Sequence, residues 1–380
     1  MDRRVILKEK RKRGSPMIYL DYAASAPPYP QAAQRQLEVM TEAFGNPGAI
    51  HSAGNQARRI LQQSRRAIAQ LLKVREQEVF FTSGGTEANN WAVKFGSIPG
   101  RRHIVAAAIE HKSVLEPLGE MERQGYRVSY VRPDPEGRIP AEAVERAVCA
   151  DTGLICVQAV NNETGVIQDV AAFAALAKKV GARYFCDGVQ GFGCPDLNKA
   201  HLISLSAHKL GGPRGVGCLV VRYPHFIDPL IRGGGQEQTR RSGTENLPGI
   251  AGFAAAAELS AAEQAQIGDL TQELARKLKE IVPNLTINGE NAPRHPGILS
   301  CRFPGITGEE MAVRLDLKGI CVSPGAACGA RDGKPSHVLL ALGQTDQQAA
   351  QAVRFSLGRL TTKDEIAATV NAVADILRTE

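Results

Sequence analysis

The sequence predicts an α/β protein, with a large domain on a mixed, mostly parallel sheet followed by a smaller α+β domain. Three observations predict it. Short apolar runs alternate with amphipathic helical stretches over roughly 240 residues, the pattern of strands joined by helical crossovers. Near residue 262 the alternation gives way to a long charged helix and a few short strands. The chain has 380 residues, which suits two to three domains at ~150 residues each.

The elements follow in order. Apolar, β-branched or aromatic runs predict strands at Val79–Thr82, His103–Ala107, Arg127–Val131, Leu154–Val160, Arg183–Cys186, Leu202–Ser206 and Gly217–Val221. Between them, Gln56–Lys73 sets Ile60, Leu61, Ile68, Leu71 and Leu72 on one helical face. Ile139–Val148 and Ala171–Val180 have the same period. Right-handed crossovers are expected between parallel strands. The second part predicts helices at Glu263–Ile281, Gly308–Leu317, Asp346–Gln351 and Lys363–Leu377, with strands at Leu285–Ile287 and Ile298–Phe303. The boundaries are therefore expected at 1–16 (a basic extension), 17–262 (the large domain) and 263–380 (the small one). The first residues of the large domain are expected to pack with the small domain.

Composition excludes several classes. Hydrophobic residues make up 43% and charged residues 22%, ordinary for a globular chain. The longest uncharged stretches, such as residues 246–257, are far shorter than the ~20 apolar residues of a membrane span. The net charge of +7 is concentrated, because seven basic and two acidic side chains in residues 1–13 supply +5 of it. No apolar segment follows that would make it a signal peptide, since Pro16 and Asp21 interrupt. A solvated tail is expected, with no direct nucleic-acid binding and no membrane partner. None of the eight cysteines forms a Cys-x-x-Cys pair, so reduced thiols in a cytoplasm are expected. All but Cys328 are expected to pack.

Chemistry concentrates where strands end, the place where open α/β sheets bind ligands. Asp187 ends the strand Tyr184-Phe185-Cys186, and Lys209 follows Ile203-Ser204-Leu205-Ser206. A lysine that can form a Schiff base and a carboxylate that can hold a ring nitrogen protonated suit pyridoxal phosphate. The same two residues also suit an ion pair at the sheet edge. Thr82-Ser-Gly-Gly-Thr86 runs from a strand into a helix start, either an anion cradle or an ordinary capped turn. His111 follows His103–Ala107, placed to stack on a ring or to serve structure. Asn161-Asn162-Glu163 reads as a polar ligand contact or an Asx turn. The segment 233–246 is a glycine-rich polar loop with Arg240, Arg241 and Thr244. Cys328 sits among Gly325, Gly329 and Gly333 near Arg331 and Lys334, an accessible setting for a nucleophilic thiolate. Arg354 suits a bidentate clamp on a carboxylate.

In this order the motifs resemble the cysteine desulfurases of the NifS/IscS type, in the class V aminotransferase group of fold-type I pyridoxal-phosphate enzymes. The resemblance begins at Tyr19-Leu-Asp-Tyr-Ala-Ala and continues through Phe44-Gly-Asn-Pro with His51. It then includes Thr82-Ser-Gly-Gly-Thr-Glu-Ala-Asn-Asn, Glu110-His-Lys, Asn161-Asn-Glu and Asp187-Gly-Val-Gln. Ser206-Ala-His-Lys, Arg241-Ser-Gly-Thr-Glu-Asn, Ala327-Cys and Arg354-Phe-Ser-Leu-Gly-Arg complete it, so that it spans about residues 17–380.

The resemblance implies a fold-type I enzyme that takes sulfur from L-cysteine and leaves L-alanine and a persulfide on Cys328. Lys209 is implied as the Schiff-base lysine, Asp187 as partner of the pyridine nitrogen and Gln190 as neighbour of the ring oxygen. His111 is implied to stack on the ring and transfer protons, and Asn162 to contact ring and substrate. Gly85, Thr86, Ser206 and His208 are implied to hold the phosphate. Thr244 is implied to reach the cofactor of a partner subunit in a homodimer, and Arg354 to take the substrate carboxylate. The implied acceptor is an iron–sulfur scaffold or a tRNA-thiolation enzyme. No fixed metal site is implied; the one ligand foreseen is Cys328, transiently toward an iron–sulfur cluster. A selenocysteine lyase and a class V aminotransferase are the alternatives. Pro335 lies seven residues beyond Cys328, like the family's long-loop branch, although Pro324 and Gly-Ala-Arg-Asp depart from that branch's usual sequence.

Overall fold

The computed structural model describes residues 17–222, 227–262, 267–325 and 335–378. The first half holds β1 (Ile18–Tyr19), α1 (Pro30–Glu42), α2 (Ser52–Leu72), β2 (Val79–Thr82), α3 (Gly85–Phe95), β3 (His103–Ala107), α4 (Lys112–Arg123), β4 (Arg127–Val131), α5 (Ala141–Ala147), β5 (Thr152–Cys156) and α6 (Val170–Val180). Then come β6 (Arg183–Asp187), β7 (Leu202–Ser206), β8 (Gly217–Val221), α7 (Leu247–Ala262), α8 (Ile267–Ile281), β9 (Thr286–Ile287) and β10 (Ile298–Arg302). The last are α9 (Gly308–Leu317), β11 (Ile320–Cys321), β12 (Ser323–Pro324), α10 (His337–Ala341), α11 (Asp346–Ala350), β13 (Ala352–Ser356) and α12 (Lys363–Arg378).

The larger sheet has the order β2-β8-β7-β6-β5-β3-β4. It is parallel except at β8, which runs antiparallel to both β2 and β7. Its strands alternate between two cores. Val105, Ile155, Tyr184, Ile203 and Val220 face a core closed by α2, α6 and α7. Ile104, Leu154, Phe185, Leu202 and Leu219 face a core closed by α3 and α4, with Trp91 at its centre. Cover on both faces explains why these strands are continuously apolar. A four-stranded antiparallel sheet, β12-β13-β10-β9, packs on α8, α9 and α12 around a third core. Leu20 belongs to that third core, and β1 pairs with β11.

Several expectations change. The strand expected at Leu154–Val160 is Thr152–Cys156. Beyond it the Val157 and Ala159 N–H groups still bond to β6, but the backbone N–H of Gln158 turns to the Glu110 carboxyl, 2.7 Å away. The helix expected from Gln56 begins at Ser52, because the His51 ring accepts from Gly54 N–H and caps it. Helices α1, α4, α7 and α10 and strands β1, β11, β12 and β13 lie outside the sequence expectations. Helix α7 is apolar on nearly every side, since it packs on α1 and α2, so it carries no amphipathic period. Pro117 interrupts the reading of α4. Of the seven cysteines expected to pack, Cys156, Cys186, Cys218 and Cys301 are buried, whereas Cys194 and Cys321 are half-buried and Cys149 is exposed. Cys149 follows the short helix α5 at the sheet's edge, where its thiol meets Arg127 at 3.0 Å rather than a core.

Candidate active site

A cavity of about 360 Å³ lies at the carboxyl ends of β6 and β7. Gly85, Thr86, His111, Asn162, Asp187, Gln190, Ser206, His208, Lys209 and Arg354 all line it. These come from both parts of the chain, since Arg354 rides on β13 of the smaller sheet. Thr244 lies elsewhere, in a separate depression with Arg241 and Glu237. Cys328, Arg331 and Lys334 fall outside the described residues.

Asp187 closes β6 and is 6% exposed. Its Oδ1 accepts from Val189 N–H at 2.9 Å, and its Oδ2 from Asn89 Nδ2 at 2.7 Å. Asn89 also donates to Ser113 Oγ at 2.8 Å. Asn89 and Ser113 escaped the sequence reading. The available signal was spacing, because Asn89 stands one helical turn beyond Gly85 and so faces the same side. Lys209 ends a single helical turn, Ala207–Lys209, directly after β7. Its Nζ donates to the carbonyls of Ala23 and Ala24 at 2.6 and 3.0 Å. Gln190 Nε2 reaches Ala23 O too, at 2.7 Å.

His111 is the N-cap of α4. Its Nδ1 accepts from Ser113 N–H at 3.1 Å, so in the neutral ring the proton sits on Nε2. Burial lowers its pKa, and the Lys209 charge adds to this against the opposing pull of Asp187. Burial together with the charges of Lys209 and Arg214 brings His208 down to about 4, so it is neutral at physiological pH. Arg354 is 2% exposed. Its Nη1 donates to Asn162 O at 2.8 Å and its Nη2 to Asp21 Oδ1 at 2.9 Å. Its Nε is buried without a hydrogen-bond acceptor among the described residues.

The lining suits pyridoxal phosphate. Helix α3 starts at Gly84 and Gly85 with no side chain capping it, so its first N–H groups are available to an anion. A Cβ on Gly85 would come within 2.6 Å of Val189 and 3.5 Å of the Ser206 Cβ, so glycine keeps this cradle open. An amine, a buried carboxylate and an imidazole surround the remaining space, the donor set that such a ring and its aldehyde require.

The chain matches the class-V aminotransferase family over residues 18–369. It is 35% identical to cysteine desulfurase IscS of Dictyoglomus turgidum, across 95% of this chain and 94% of that one. Among solved structures it resembles a NifS-like protein with a TM-score of 0.88 and 32% identity, covering 96% of this chain and 100% of that one. It also resembles SspA in complex with cysteine, with a TM-score of 0.81 and 31% identity over 90% of this chain and 98% of the other. The chain therefore belongs to the class-V aminotransferase family of pyridoxal-phosphate enzymes, and within it to the cysteine desulfurases of the NifS/IscS type.

Proposed function

We propose that this protein removes sulfur from L-cysteine, releases L-alanine and carries the sulfur as a persulfide on Cys328. The convergence of Lys209, Asp187, the open start of α3 and Arg354 on one cavity carries the reading. Gly85, Thr86, Ser206 and His208 would hold the cofactor's phosphate, Asp187 its ring nitrogen and Gln190 its ring oxygen. Bound there, the cofactor supplies an electron sink for negative charge at the substrate's Cα. Lys209 anchors the cofactor and, once released, is an amine able to hold the Cα proton. His111 is a neutral imidazole able to receive or return a proton at the ring's edge. Arg354 and Asn162 orient the substrate carboxylate. Asp21 and Asn162 O hold the Arg354 guanidinium in place, and its free Nε supports a further acceptor there. The Cys328 thiolate attacks the substrate sulfur. The S–S bond forms as the C–S bond breaks, and the Cβ left behind is protonated to the methyl group of alanine.

The reading divides the chain into a large cofactor domain, 17–262, and a small domain, 263–380, that carries Cys328. It includes a homodimer. Phe44 and Ile50, at 82% and 93% exposure, support it as apolar side chains that a second copy would cover. Thr244 lies away from its own chain's cavity, which suits a role toward the partner's phosphate. The acceptor is proposed to be an iron–sulfur scaffold or a tRNA-thiolation enzyme. Among the described residues no helix is long and apolar enough to cross a membrane, and a cytoplasmic location suits described cysteines that form no disulfide with one another.

Borohydride reduction tests the anchor. It should fix the cofactor on the Lys209 peptide, as read by mass spectrometry, and Lys209→Ala should abolish the adduct. Cys328→Ala should retain the cofactor and its visible band yet form no persulfide. A Cys328→Ala enzyme that desulfurated cysteine at the full rate without added reductant would remove Cys328 from the scheme. Assays with selenocysteine, and with alanine plus a keto acid, separate the lyase and aminotransferase alternatives.

A further inference from the structure

The loop between β8 and α7 touches the proposed phosphate cradle from two sides. Within it Glu237, Gln238 and Thr239 have φ of 47°, 56° and 66°. Three successive left-handed residues without a glycine are unfavourable for L side chains, and most so for the β-branched Thr239. The Glu237 carboxylate, on a residue only 6% exposed, secures the turn. It takes both terminal nitrogens of Arg65, at 2.6 and 2.8 Å, and the backbone N–H of Phe81 at 2.8 Å. Phe81 lies on β2, the strand that runs into Gly84 and Gly85. Four residues after Glu237, Arg241 grips the other side. Its Nε and Nη2 donate to Glu87 at 2.8 and 3.1 Å. Glu87 stands in the first turn of α3 and accepts from Ser83 N–H at 3.0 Å.

We propose that Glu237 and Arg241 are positioning residues for the cofactor's phosphate, acting through a strained loop that braces β2 against the first turn of α3. Glu237 sets the strand's approach to the cradle. Arg241 fixes the helix start and offsets the Glu87 charge, which would otherwise oppose an anion beside it. The proposal rests on reading the start of α3 as the phosphate site.

The full chain, stripped of cofactor and reloaded, tests it by equilibrium titration with pyridoxal 5′-phosphate and with pyridoxal, which lacks the phosphate. The unaltered enzyme should strongly prefer the phosphorylated form; equal affinities would overturn the cradle reading itself. Arg241→Gln and Glu237→Gln should each lose about tenfold in affinity for pyridoxal phosphate, the scale of one charge-assisted contact, with pyridoxal unaffected. Adding Thr239→Gly to Glu237→Gln should recover most of the loss, because glycine adopts the turn without the carboxylate's grip. Preserved discrimination in both single variants would overturn the brace, as would equal losses for the two ligands. A double variant no better than Glu237→Gln would overturn the role of the strained turn. Should Glu237→Gln fail to fold, Arg241→Gln decides, since its ion pair is partly exposed and its loss leaves no fully buried charge.

Discussion

Glu163 shows how one buried residue can couple stability to solution pH. It is buried, and its carboxyl accepts the Ser336 hydroxyl proton. Burial lifts its pKa from the ordinary 4.5 to about 7, against the smaller downward pulls of Ser336 and Arg354. Between those two values the folded protein keeps a proton that the unfolded chain has released. The stabilisation is therefore complete below the unfolded value and is lost as pH rises through the folded one. The change between pH 5 and 8 is about 2–3 kcal/mol. Glu163→Gln keeps an acceptor for Ser336 but cannot ionise. Its unfolding free energy from urea titration should gain on the unaltered protein's by this amount as pH goes from 5 to 8. Parallel pH responses in the two proteins would place the titrating proton on another group. Asn89 belongs to the same scale. A buried amide that holds a carboxylate is visible only once the fold is known, because sequence shows an asparagine on a helix and not what that helix faces.

At the scale of elements, the cradle depends on β8 as much as on α3. Gly217 opens β8, and a Cβ there would lie 2.4 Å from the Leu205 carbonyl oxygen and 2.8 Å from Gly84 Cα. Backbone cannot retreat as a flexible side chain would. Gly217→Ala should cost about 1–3 kcal/mol in urea unfolding and weaken cofactor retention on dialysis. An unchanged midpoint would mean that the β8–cradle contact is looser than its geometry. The same principle explains what was legible in sequence. The inner strands were readable because both faces are covered, so that a run such as Leu202–Ser206 has one outcome. Most of the cavity lining was readable as well, because strand ends are where Asp187 and Lys209 had to project. Helix α7 was not, since burial on several sides erases periodicity. Nor was the end of β5, because it depends on Glu110, a residue distant in sequence, taking the Gln158 N–H. Cys149 defied its expectation because a short apolar context does not reveal that α5 stops at the sheet's edge.

At the scale of the whole molecule, the proposed trans role of Thr244 gives a complementation test. Lys209→Ala and Thr244→Val chains should each assemble into homodimers of low activity. Mixed and reassembled, they should recover activity, because a hybrid dimer contains one site with an intact Lys209 from one chain and an intact Thr244 from the other. No recovery, with hybrid formation verified by mass, would place Thr244 in cis. The molecule also has an order of assembly written into it. Asp21 bonds Arg354 across a separation of 333 residues, and Ala23 bonds Ser356 across the same distance. During synthesis at ~5–20 residues per second, the segment around Leu20 emerges well before β13 and then waits tens of seconds for these partners. Until β13 leaves the ribosome, the core around Leu20 lacks Val353 and Phe355, and the carbonyls of Ala23 and Ala24 stand beside an incomplete cavity. The cavity thus closes only after β13 has been made, so a chain truncated before β13 would lack one of its walls.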